Sequence, residues 1–256
     1  MARLPRRLGH AEEATLGEHL EELRGRLIVM LAAIALGTVV AFVFHGHILD
    51  WLNRPLPAHH HRLATFGVAE PFTVSLTVSI YAGFVLALPV VLWQLWLFFA
   101  PAFDPAIERR VLGLAACAAI LAAAGVAFGY WVLLPRAVHF LTNYDDRHFR
   151  HLIRASSYYN FVATVIVGIV IVFQTPLAVL GAVSVGVISS RGLRRQRRMG
   201  YLVTAAIALA LPGPDPVTTF LELLPMWLLF EGSIWLAVLI ERRKAKVTPA
   251  SATLGG

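Results

Sequence analysis

Residues 16–44 read LGEHLEELRGRLIVMLAAIALGTVVAFVF, and this stretch decides the fold. Leu16, Leu20, Leu23 and Leu27 recur at steps of four, three and four, which draws one apolar stripe along a helix. Glu18, Glu22 and Arg26 follow one another at steps of four on another face. From Leu27 to Phe44 there is no charge, and about 18 apolar residues suffice to cross a bilayer. The pattern predicts an amphipathic helix at a membrane surface that feeds into a first span. An acidic face in that position suits a cationic partner.

Working outward, the composition agrees. The chain has 256 residues, 58% hydrophobic and 14% charged. A soluble domain carries about 25% charge, so the class is a polytopic membrane protein. The net charge of +7 is no sign of nucleic-acid binding, because the basic residues cluster between apolar runs, as topology determinants do. The single cysteine, Cys117, excludes an internal disulfide or a cysteine zinc site and is expected to be buried packing. No cleavable leader is apparent, since Glu12, Glu13, Glu18, Glu21 and Glu22 separate the basic start from the apolar run.

Six spans are expected, at about 27–44, 71–98, 111–134, 156–187, 199–211 and 217–240, in one membrane domain covering 1–256. The second is long and contains Pro89, which removes a backbone hydrogen bond and predicts a kink. Pro135 is expected to end the third. Gln174 with Pro176 should interrupt the fourth. The fifth run is only 13 residues, about 20 Å of helix against a core of about 30 Å. Glu222 and Glu231 cut into the sixth, so the last two spans read as a short hairpin. The loops at 45–70 and 136–154 are hydrophilic. Lys and Arg are concentrated in the N-terminal segment, the turn after span two, the loop after span four and the tail. That bias puts both termini in the cytoplasm, with flexible tails at 1–15 and 243–256.

Several stretches resemble the TatC family, the large multispanning subunits of twin-arginine protein translocases. They are HLEELRGRL at 19–27, Pro55, PVVLWQLWLFFAPAFDPAIERR at 89–110 and FGYWVLLPRAVHF at 128–140. LRRQRR at 193–198, PGPD at 212–215 and PMWLLFE at 225–231 complete the set. The resemblance implies an all-α membrane protein with six transmembrane helices, a cupped bundle and short fifth and sixth helices. It implies no enzyme and no cofactor. The implied role is binding of arginine-pair signal peptides and export of folded proteins across the bacterial cytoplasmic membrane. The implied partners are TatA/TatB-type single-span subunits, further copies of the chain and membrane lipids.

By the same resemblance, Glu22 and Glu108 receive the two signal arginines, with Arg24, Glu21, Gln94 and Phe98 completing the patch. The chemistry fits, because a guanidinium takes a carboxylate in bidentate geometry. Read from the residues alone, Glu22 pairs with Arg26 along the helix and Glu108 favours a helix N-terminus. Gln174, Glu231 and Met226 match partner-subunit contacts. Gln174 stands where many relatives have glutamate, which puts a proton-carrying role there in doubt; a hydrogen bond within the subunit is the other reading. Pro55, Pro89 and Asp215 match structural positions, the last capping span six.

Loop histidines 59–61, with His45 and His47, are more often solvated than metal-bound. No Gly-rich phosphate loop with lysine is present, so energy would come from the membrane potential. A secondary transporter of a small solute is the alternative function, but it would need an internal repeat that the sequence lacks. An intramembrane enzyme would need catalytic histidines inside spans, and the histidines lie outside them.

Overall fold

The computed structural model describes residues 16–57, 63–99, 111–144, 152–184, 188–210 and 216–247. All regular structure among them is helical apart from one isolated bridge, Ala64 to Arg154. Among the described residues ten helices run in chain order. They are α1 (Leu16–Val43), α2 (His45–Asn53), α3 (Glu70–Phe99), α4 (Val111–Phe128), α5 (Leu134–Asn143), α6 (Ala155–Phe173), α7 (Thr175–Ser184), α8 (Ser190–Arg195), α9 (Arg197–Ala210) and α10 (Pro216–Val247).

Among the described residues five stretches are long and apolar enough to cross a membrane: Leu20–Val43, Glu70–Phe98, Gly113–Asn143, Ala155–Val183 and Pro216–Leu239. The outside of the chain is correspondingly apolar, with Leu31, Leu36, Phe72, Ile120 and Leu209 among its exposed side chains. Helix α9, at 14 residues, falls short of that length.

The leucine-striped segment runs without a break into the first apolar stretch as the single helix α1. The structure corrects several expectations. The last helix is not short: α10 has 32 residues and runs through Pro225. Glu222 does not shorten it, because the chain buries that side chain to 2% exposure instead of leaving it in lipid. Cys117 is exposed, not buried. Part of the first hydrophilic loop is helical, as α2.

Pro135 does not end span three. The helix widens into one π-turn at Gly129–Leu133, where the Leu134 N–H reaches back to the Gly129 carbonyl, and α5 then continues. Proline has no N–H to give and crowds the carbonyl four residues before it. Shifting the register by one residue just ahead of the ring absorbs both problems. Span four does break as expected, with a single turn residue at Gln174 between α6 and α7.

The core lies where α2, α3, α4, α5 and α6 meet, around Leu52, Val78, Tyr130, Leu134, Tyr158 and Val162. Its aromatic rings carry hydroxyls that find backbone partners. Tyr130 stacks on Trp51 at 3.7 Å between centroids, and its hydroxyl donates to the Trp51 carbonyl at 2.8 Å. The Tyr158 hydroxyl donates to the Leu52 carbonyl at 2.7 Å. Both bonds pin α2 across the ends of the spans. Buried hydroxyls inside the helices satisfy themselves: Ser79 donates to Ser75, Thr142 to Val138 and Ser233 to Leu229.

Helix α1 packs along α3. They cross at Gly37 and Gly83, where a Cβ on Gly37 would stand 2.6 Å from the Gly83 carbonyl oxygen and one on Gly83 would strike the Thr38 backbone. Only glycine admits so close an approach, the usual device for helix contact in lipid.

Candidate functional site

The start of α1 and the last turns of α3 meet through Arg26 and Gln94. Leu16–Leu27 forms helix from leucine, glutamate and arginine despite Gly17 and Gly25, and the step of four sets Glu22 beneath Arg26. The Arg26 Nη2 donates to Glu22 Oε1, and Nη1 donates to the Gln94 carbonyl at 3.3 Å. Both side chains of this pair are mostly covered, Arg26 at 15% and Glu22 at 12% exposure. One guanidinium therefore ties the acidic turn of α1 to the last turns of α3. Glu21 and Arg24 are exposed beside it, and Phe98 is half-buried one helical turn beyond Gln94. The patch joins Glu22, Gln94 and Phe98 on neighbouring helices. Glu108, Asp215 and His59–His61 lie outside the described residues.

A second polar position lies within the fourth apolar stretch, Ala155–Val183. Gln174 is 8% exposed; its amide donates to the Ala118 carbonyl at 3.4 Å and to Val170 at 3.5 Å. Its Oε1 is buried without a hydrogen-bond partner among the described residues. Met226 is spent on the chain's own core, packed with Val172 and Ala208 at 2% exposure. Glu231 accepts from the Tyr201 hydroxyl and faces Arg197 at 3.3 Å, tying α10 to α9. Pro89 lies within continuous helix, and Pro55 sits in the turn after α2, where the Leu56 N–H donates to Asn53 at 3.0 Å.

Sequence reasoning did not find the junction at the opposite end of α3. Glu70, 8% exposed, accepts the Phe66 N–H at 2.7 Å, Arg154 Nε at 2.8 Å and the Ser156 N–H at 3.2 Å. Arg154 is the N-cap residue of α6 and makes no side-chain cap of its own, so Glu70 caps that helix from α3. The carboxylate holds the Arg154 guanidinium above its ordinary pKa. Backbone bonds between Ala64, Ile153 and Ala155 zip the two loops together. The only signal in the sequence was the Glu-Pro start of a helix; nothing there pointed to a partner 84 residues away.

The family model for Sec-independent protein translocase protein (TatC) matches residues 18–225. The chain belongs to the TatC family. It is 32% identical to TatCd of Bacillus subtilis over 94% of this chain and 98% of that protein. It is 35% identical to TatC of Koribacter versatilis over 90% of this chain and 88% of that one. Two crystal structures of the twin-arginine translocase receptor TatC superpose with TM-scores of 0.74 at 30% identity. They cover 86% of this chain and 98% and 99% of theirs. As a TatC-family membrane protein, the chain serves Sec-independent protein translocation, a transport role, not catalysis.

Proposed function

We propose that the chain binds arginine-pair signal peptides at the junction of α1 and α3 and works with TatA/TatB-type single-span subunits to export folded proteins. Glu22 and Glu108 are the guanidinium receptors in this reading, with Glu21, Arg24, Gln94 and Phe98 around them. The observation that carries it is the Arg26 bridge, which holds an acid-bearing turn against the end of α3. Glu108 follows soon after that end in the sequence. A bound arginine is therefore already part of the site, and a signal arginine would make the same kind of contact.

The proposal includes six spans with cytoplasmic termini in the bacterial inner membrane, α9 being the short fifth, and transport driven by the proton-motive force. Gln174, through the Oε1 that has no partner among the described residues, and the outer part of Glu231 are the partner-subunit contacts. A contact at Met226 would require α6, α9 and α10 to part, so it is left to packing.

The combined Glu22→Ala and Glu108→Ala variant should insert normally and lose export of twin-arginine precursors. A photocrosslinking paired-arginine peptide should label positions near Glu22 in the parent and not in the variant. Undiminished export and labelling would reject the receptor assignment.

A further inference from the structure

We propose that the arginine-rich turn and the outward face of α9 form a binding site for an anionic phospholipid. Five arginines fall between Arg191 and Arg198. Arg197 turns inward to Glu231. Arg191, Arg194, Arg195 and Arg198 are exposed, and no ion pair among the described residues engages them. Four exposed guanidinium groups thus lie close together in sequence, without an ion pair among the described residues, on one short helix and the first turn of the next.

The face below them is built for acyl chains. At 3.6 residues per turn, Leu202 and Leu209 lie within about 40° of Arg198 around α9. Met199, Leu202, Val203 and Leu209 are all strongly exposed, with Leu209 at 72%. On the opposite face Thr204 and Ala208 are buried against the chain. One exposed side of α9 therefore carries a cation at its top and a branched apolar strip beneath. That order of groups matches a phosphate headgroup and its tails.

Length makes the match more demanding. Helix α9 offers 14 residues, about 21 Å, against a hydrocarbon core of about 30 Å. A bilayer meeting so short a helix thins beside it, which brings phosphates towards the helix ends. Arginine suits that depth, because its planar fork takes two phosphate oxygens at once. The assignment stands apart from signal-peptide binding and rests only on α9 being embedded in the membrane.

The test uses the purified full-length chain in neutral detergent and follows lipid adducts by native mass spectrometry. Phosphatidylglycerol should bind tightly and phosphatidylcholine weakly. Arg198→Gln leaves the other four arginines, and so the membrane orientation, in place; it should weaken phosphatidylglycerol about fivefold, the scale of one arginine near an anionic surface. Arg195→Gln with Arg198→Gln should weaken it roughly twenty-five-fold on the same scale. Leu202→Asn should weaken the lipid but not inorganic phosphate. Equal binding of the two lipids, or unchanged affinity in the arginine variants, would overturn the proposal. So would inorganic phosphate or an acidic peptide binding as tightly as phosphatidylglycerol.

Discussion

The two ends of α3 are both fastened by an arginine and a glutamate, but they are fastened differently. At Glu70 the acid is buried and receives three donors, two of them backbone N–H groups from different segments. At Glu22 the pair lies within one helix, and it reaches α3 through a bond of 3.3 Å to a carbonyl. The first junction is closed: the carboxylate is surrounded by the loops it joins. The second is built from side chains that another guanidinium could replace. Under the proposed function the first end stays fixed while the second receives the signal peptide, and α3, about 36 Å from Glu70 to Gln94, connects them.

The crossing between the two ends gives the largest expected effect. Gly83→Val places two methyl groups where a Cβ alone already meets the Thr38 backbone. Overpacking of this kind costs about 1–3 kcal/mol or more, and here it separates α1 from α3. The variant should show a strongly lowered melting temperature in detergent and should lose the Glu22 patch, since that patch needs both helices. A parent-like melt would mean that α1 is free to shift without consequence, and the two junctions would then be independent.

Next comes the closed end. Glu70→Ala removes the acceptor for all three donors and leaves the start of α6 without its cap. Melting should fall by several degrees, less than for Gly83→Val, and proteolysis of the 144–152 connection should speed up. Glu70→Gln keeps one acceptor oxygen and should melt between the parent and Glu70→Ala. Peptide binding at the far end should change little. Tyr158→Phe, on the same side, removes the bond to the Leu52 carbonyl and leaves that oxygen buried. About 1 kcal/mol is expected, read as a smaller shift in the same melting curve.

What could be read in advance follows the same division. Leucine spacing and charge-free runs mark helices because lipid demands them, and Gln174 with Pro176 marked the break in span four. The shortness of α9 could be counted directly. The length of α10 could not, because whether Glu222 truncates a span or is buried by its neighbours depends on packing. The continuation through Pro135 depends on a one-residue register shift that leaves no mark in the sequence. At the candidate site, the Glu22 and Arg26 pair followed from a step of four. The Gln94 carbonyl, 68 residues from Arg26, carries no side-chain signal at all. The Glu70 junction was hidden for the same reason: two of its donors are backbone groups.

The smallest expected effect is also the sharpest probe of the open end. Arg26→Gln removes an i,i+4 pair that would be worth about 0.3–0.5 kcal/mol if exposed, and although this one is mostly covered the glutamine amide can still donate to Glu22, so melting should move little. Its effect on peptide binding depends on what Arg26 does. If it only occupies Glu22, its loss frees the carboxylate and removes a like charge from the path of the incoming guanidinium, and a paired-arginine peptide should bind severalfold tighter. If its bond to the Gln94 carbonyl is what aligns the two helices, binding should weaken while Arg26→Lys restores part of it. The first outcome is expected, because the Gly37 and Gly83 crossing already fixes α1 against α3 without help from Arg26. A weakened peptide with unchanged melting would instead make this end as dependent on its ion pair as the other, and the contrast between them would fail.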